Sequence, residues 1–116
     1  MALKVERVTP APGAELFRLS GQLILGREAQ SFEAMVTEAV KAGRTRIVVD
    51  MTEVPYLDSA GGGILVGCHG KTAGAGGQFR VAGAPERVRK IFQLAKVDSI
   101  LALYETADAA LAGPTA

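Results

Sequence analysis

The apolar residues of this 116-residue chain keep two different periods, and the switching between them is what most restricts its fold. In "LKVERVT" (3–9) and "ELFRLSG" (15–21) the spacing is close to two, with Leu3, Val5 and Arg7 alternating imperfectly with Lys4, Glu6 and Val8, the pattern of a β-strand. "PAPG" at 10–13 supplies a turn, so these segments are expected to form an antiparallel hairpin. From Arg27 to Ala42 the period lengthens. Ala29, Phe32, Met35, Val36, Ala39 and Val40 make one helical stripe, with Glu28, Glu33, Glu38 and Lys41 elsewhere. Gly43 is placed to cap that helix at its C-terminus.

The alternation continues to the end of the chain. "TRIVVD" (45–50) is a β-branched run suited to a buried central strand. A second helix is expected to begin at Asp58 or Ser59, either of which can cap it, and to dissolve in "GAGG" (74–77). "QFRVAG" reads as a strand, and Pro85 as the first residue of the helix "PERVRKIFQLA". "ILALY" reads as a last strand and "TADAALA" as a terminal helix capped by Thr106, with residues 113–116 expected to fray. Strands alternating with helices specify one layered α/β domain over residues 1–116. Its expected form is a mixed, mostly parallel sheet with helices mainly on one face.

Composition narrows the function classes. Thirteen basic and twelve acidic side chains leave a net charge of +1, which points to neither nucleic acid nor an anionic membrane surface. No stretch approaches the roughly 20 apolar residues of a membrane span, and the charged N-terminus lacks the apolar core of a signal peptide. With Cys68 as its only cysteine, the chain is expected to be a soluble protein of a reducing compartment.

The segment "VPYLDSAGGGILV" (54–66) is the one that calls for explanation. A serine hydrolase would need Gly-x-Ser-x-Gly, but Leu57 stands where the leading glycine belongs. His69, the one histidine, lies ten residues along the same helix, about 15 Å away. "GAGGQ" has neither dinucleotide-loop nor P-loop spacing. Adjacent Cys68 and His69 point apart on a helix and make a poor metal pair. No catalytic residue, metal or cofactor is therefore expected. Gly61, Gly62 and Gly63 weaken the first helical turn by about 1 kcal/mol each against alanine. One explanation is that they clear space for another protein, in which case Gly61→Ala should hold or raise stability while weakening binding.

"IVVDMTEVPYLDSAGGGILV" resembles the signature of the STAS domain, the fold of anti-sigma factor antagonists: a buried strand ending in Asp, a turn, then Asp-Ser-(Ser/Ala)-Gly opening a helix. Gly21-x-Leu23, Asp50, "GGQFRVAGAPERVRKIFQLAKVDSIL" and "YETADAALA" extend the resemblance over nearly the whole chain. It implies a cytoplasmic, non-enzymatic phosphoprotein that binds an anti-sigma factor, often a histidine-kinase-like serine kinase, and so frees a sigma factor. Ser59 matches the phosphoacceptor; phosphorylation ends the interaction and a phosphatase resets it. Asp58, Ser59, Ala60, Gly61, Gly62 and Ile24 are then the expected partner surface, with Asp50 and Gly21 structural beside it. Homodimerisation is left open. Where the family commonly reads Gly-Glu-Leu-Asp, this chain reads Gly21-Gln22-Leu23-Ile24; two acids are absent and Ile24 adds an apolar contact. The alternative implied by the same family is a non-switching interaction subunit of a lipid-transport or stressosome-type assembly.

Overall fold

A computed structural model describes residues 2–113. Five strands form one sheet: β1 (Lys4–Val8), β2 (Ala14–Ser20), β3 (Arg46–Glu53), β4 (Gln78–Ala82) and β5 (Ala102–Tyr104), hydrogen-bonded in that order. β1 runs antiparallel to β2, and every later pairing is parallel. Four helices alternate with the strands: α1 (Arg27–Lys41), α2 (Ser59–Gly74), α3 (Glu86–Leu94) and α4 (Ala107–Ala112). The mixed, mostly parallel α/β sheet expected from the periodicity is present, with the hairpin at one edge.

Strand alternation divides the side chains between two faces. Phe17, Leu19, Ile47, Val49, Met51, Phe79 and Val81 point to the face covered by α1, α2 and α3, where they join Phe32, Val36, Leu65, Cys68, Val88 and Phe92 in the main core. Phe17 meets Phe32 edge-to-face, with ring centroids 5.6 Å apart. The opposite face carries Leu16, Val48 and Ala82, and among the described residues the short α4 packs there, through Ala110. Helices thus lie mainly on one face. α4 is also held by polar contacts: Arg80 donates to the carbonyls of Ala110 and Gly113, and Arg46 to that of Leu111.

Several local expectations change. β3 continues past Asp50 to Glu53, and β5 is shorter than the segment that suggested it. Pro85 is not the first helical residue of α3 but its cap, at φ −59° and ψ 157°. Of the residues expected to fray, Gly113 stands as the C-cap of α4 with its carbonyl accepting from Arg80; residues 114–116 lie outside those described. Gly43 follows the α1 cap residue Ala42 and adopts φ 88°. Its N–H donates to the Val40 carbonyl and that of Arg44 to the Ala39 carbonyl, the bond pair of a Schellman ending. α3 ends the same way, except that Lys96 takes the left-handed position at φ 60°. Among the described residues no helix is long and apolar enough to cross a membrane.

Candidate functional site

β3 delivers the chain to the segment that the sequence singled out. Beyond Glu53 a turn closes with the Val54 N–H donating to the Met51 carbonyl, and Val54 and Leu57 enter the core. The segment then pairs with the loop that follows β2. Leu23 and Leu57 form a parallel bridge, the Leu23 N–H donates to the Tyr56 carbonyl, and the Asp58 N–H donates to the Leu23 carbonyl. Gly21 starts that loop with its N–H on the Glu53 carbonyl, and a Cβ there would lie 2.5 Å from the carbonyl oxygen of Ala2. Two distant stretches of sequence are thereby fixed side by side.

Asp58 locks the junction. One carboxylate oxygen accepts the Gly61 N–H at 2.8 Å and caps α2; the other accepts the Leu25 N–H at 3.0 Å and holds the neighbouring loop. The Leu25 N–H, and after it that of Gly61, stabilises the charged form and lowers the carboxyl below its ordinary value of 3.8. Of the two residues able to cap, the aspartate does so. Ser59 is left as an exposed first helical residue, free of the capping role. Ala60 beside it is half-buried.

The glycines separate into two kinds. Gly61 is buried, and a Cβ there would lie 2.0 Å from the carbonyl oxygen of Leu23. It makes room for this chain's own loop, which corrects the expectation that it clears space for a partner and that alanine would be harmless there. Gly62 is also buried, yet its Cβ would meet only the Leu57 side chain, at an ordinary 3.9 Å; Gly63 is exposed and its Cβ would meet nothing within 4 Å. These two, with Leu57, Val66, Ile91 and Val97, line a largely apolar groove of about 320 Å³ between α2 and α3, and the exposed Ser59 is among its lining residues.

On the other side of Ser59 stands the loop after β2. Ile24 is 36% exposed and Leu25 72%, with Tyr56 at 43%. The sequence singled out Ile24; Leu25 and the α3 wall of the groove were missed, although "LILG" is an unusually apolar run for a loop. Asp50, expected to support the switch, belongs elsewhere. It shares its face of β3 with Val48, accepts from the Thr52 N–H and hydroxyl, and pairs with Arg18 at 3.8 Å, on the side away from α2.

Other reactive side chains do not converge on this site. Cys68 is buried, and burial, with Glu33 adding to it, pushes its thiol up to about 12, far from a reactive thiolate. Among the described residues no group of three or more His, Cys, Asp and Glu side chains is placed to hold a metal ion.

Comparison with known proteins gives a consistent family. The model of the STAS domain matches residues 7–110. A Thermotoga neapolitana protein named as an anti-sigma factor antagonist homologue is 27% identical over 74 residues, 64% of this chain and just under two thirds of the relative, at 66%. Among solved structures, an anti-sigma factor antagonist from Thermotoga maritima superposes with a TM-score of 0.80 at 21% identity, covering 94% of this chain and 91% of that one. The Bacillus cell-fate determinant SpoIIAA in its phosphorylated form gives 0.75 at 19% identity, covering 93% and 96%.

Proposed function

The chain belongs to the STAS domain family, and from that premise we propose that it is an anti-sigma factor antagonist switched by phosphorylation of Ser59. It binds an anti-sigma factor of the histidine-kinase-like class in the cytoplasm, releases a sigma factor, and is a substrate of that kinase rather than an enzyme itself. A phosphatase restores the binding form. The observation that carries this reading is the division of labour at the start of α2, where Asp58 takes the cap and leaves the Ser59 hydroxyl exposed. SpoIIAA, which shares the fold, has been solved in a phosphorylated form.

The electrostatics support a switch that acts on the interface and spares the fold. Phosphate adds about −1.5 to −2 charges at neutral pH. The helix N-terminus offsets this by about 0.3–1 kcal/mol, while Asp58 opposes it at short range. The domain therefore keeps its fold, whereas a phosphate buried unpaired against a partner costs several kcal/mol. The expected loss of affinity is at least about tenfold, or 1.4 kcal/mol.

The test is phosphopeptide mass spectrometry after incubation with ATP and the histidine-kinase-like proteins of the source organism. The expected product carries phosphate on Ser59, Ser59→Ala binds but is not labelled, and the phosphorylated chain melts like the unmodified one. Phosphate found reproducibly elsewhere, with Ser59 untouched, would remove the switch. The second reading, a non-switching subunit of a lipid-transport or stressosome-type assembly, draws on the apolar Ile24 and Leu25 beside Ser59; it requires the wild-type chain to bind its partner without ever being labelled.

A further inference from the structure

Arg46 uses only half of the donor edge of its guanidinium. It opens β3 on the same face as Val48, the face where α4 packs. Its Nη2 donates to the Leu111 carbonyl at 2.5 Å, near the C-terminal end of α4. Its Nε is buried and has no hydrogen-bond partner. Among the described residues no carboxylate forms a salt bridge with this guanidinium. A buried donor left without an acceptor is rare and needs a reason. Nε and Nη2 together form the planar edge with which arginine grips two oxygens of a carboxylate or a phosphate. A peptide carbonyl has one oxygen, so α4 satisfies Nη2 and leaves Nε idle.

The element that covers this edge is weakly built. α4 has six residues, of which Ala110 alone is buried, and a helix of that length does not stand by itself in water. Its last turn is held at Leu111 by Arg46 and at Ala110 and Gly113 by Arg80. Those carbonyls are the negative end of the helix dipole, so an anion arriving at Arg46 repels them as well as replacing them. Arg46 as a whole is half-buried, which leaves an approach from solvent. We propose that the Nε–Nη2 edge of Arg46 is a binding site for an oxyanion, a carboxylate or phosphate group, and that filling it lifts the last turn of α4 from the sheet. The Leu111 carbonyl occupies half of that site and is the latch. Release uncovers the apolar floor of Leu16, Val48 and Ala82, while Arg80 keeps the support of the Tyr104 ring, 5.6 Å away. The site lies on the sheet face opposite α2, and it stands or falls independently of Ser59.

The experiment follows the Arg46 Nε–H and the α4 amides of the full chain by NMR, with inorganic phosphate or acetate added against chloride at equal ionic strength. A saturable shift of the Arg46 Nε–H resonance is expected. The Ala110 and Gly113 amides, bonded in α4 to the Thr106 and Ala110 carbonyls, should exchange at least about fivefold faster as the anion draws the open form. Amides of β3 and β4 should be unaffected. Arg46→Lys keeps the charge but lacks the two-donor edge, so neither ion should speed α4 exchange in it. An effect of phosphate alone assigns a phosphate group, of acetate alone a carboxylate, and of both the chemistry they share. No saturable shift with either ion overturns the site. A saturable shift with unchanged α4 exchange overturns the latch, and equal acceleration in Arg46→Lys overturns the role of the arginine edge. If Arg46→Lys misfolds, the wild-type Nε–H titration and α4 exchange decide, because they need no variant.

Discussion

The two sides of the α2 N-terminus are built from the same residue type and do opposite things. Towards the loop after β2 the helix is closed: Gly61 lies against the Leu23 carbonyl, and Asp58 binds the Leu25 N–H. Towards α3 it is open, and Gly62 and Gly63 leave the groove. A run of glycines in a helix is thus not one feature with one purpose. The closed side fixes where Ser59 stands, and the open side determines what can come up to it. Substitutions should therefore change sign within a single turn.

The largest effect is expected at Gly61. Alanine there must displace a backbone carbonyl held by its own hydrogen bond to the Asp58 N–H. Overpacking of this kind costs about 1–3 kcal/mol, occasionally more, against a gain in helix propensity of about 1 kcal/mol. Because the atom met is a backbone oxygen at 2.0 Å and not the end of a flexible side chain, the upper end of that cost, about 3 kcal/mol, applies, and a net loss of about 2 kcal/mol in urea unfolding is expected. A stable Gly61→Ala protein would mean that the loop moves easily and that the two sides of the helix are alike after all.

Asp58 comes next. Asp58→Ala removes the cap and the tie to Leu25 together, and a cap alone is worth about 0.5–2 kcal/mol. Its pH dependence has a definite sign. Because the folded carboxyl is lowered from 3.8 by the Leu25 and Gly61 N–H groups, its stabilisation is complete above the unfolded value and disappears as the pH falls through the lower folded one. Asp58→Asn should therefore be less stable than wild type near neutrality and should flatten the acid limb of a stability–pH curve below about pH 4. An acid limb unchanged in Asp58→Asn would assign that protonation to another carboxylate.

Gly62→Ala sharpens the comparison from the open side. The added methyl meets Leu57 at an ordinary distance, so the helix should gain up to about 1 kcal/mol. Chemical denaturation of Gly61→Ala and Gly62→Ala side by side should show opposite shifts. If Gly62→Ala also destabilises, the groove is an internal packing defect and not a surface kept open.

This contrast explains what could be read from the sequence. The order of elements, the hairpin, the Gly43 ending of α1 and the Thr106 cap of α4 depend on neighbours a few residues apart, and local pattern carries that information. The segment around Ser59 was legible because Asp58 and Ser59 are adjacent and the helix begins at once. The reason for Gly61 was not, because the atom it avoids belongs to Leu23, 38 positions earlier. The face chosen by α4 was hidden for the same reason. Six residues rich in alanine carry little facial bias, and the arginines that bind its carbonyls come from β3 and β4. Asp50 was misplaced through a period-two effect: its sequence position is close to the switch, but its side chain belongs to the other face.

The smallest expected effect tests the far wall of the groove. Lys96 holds the left-handed position that ends α3, with φ 60°, its N–H on the Gln93 carbonyl and the next N–H, of Val97, on the Phe92 carbonyl. Ala95 and Val97 line the groove on either side of it in sequence. A left-handed lysine is disfavoured by about 1–2 kcal/mol, while glycine adds about 0.4–1 kcal/mol of freedom to the unfolded chain. Lys96→Gly should then stabilise the domain by about 0.5 kcal/mol, raising Tm by roughly 2–3 °C. A β-branched Lys96→Val should do the reverse, because its side chain tolerates that backbone least. Neither change touches the loop side of α2, so binding that depends on the groove should follow how well Lys96 seats Val97. If Lys96→Gly shifts Tm as stated but Lys96→Val leaves partner affinity unchanged, the α3 wall takes no part in recognition, and the closed side of the helix, with Ile24 and Leu25, must carry it.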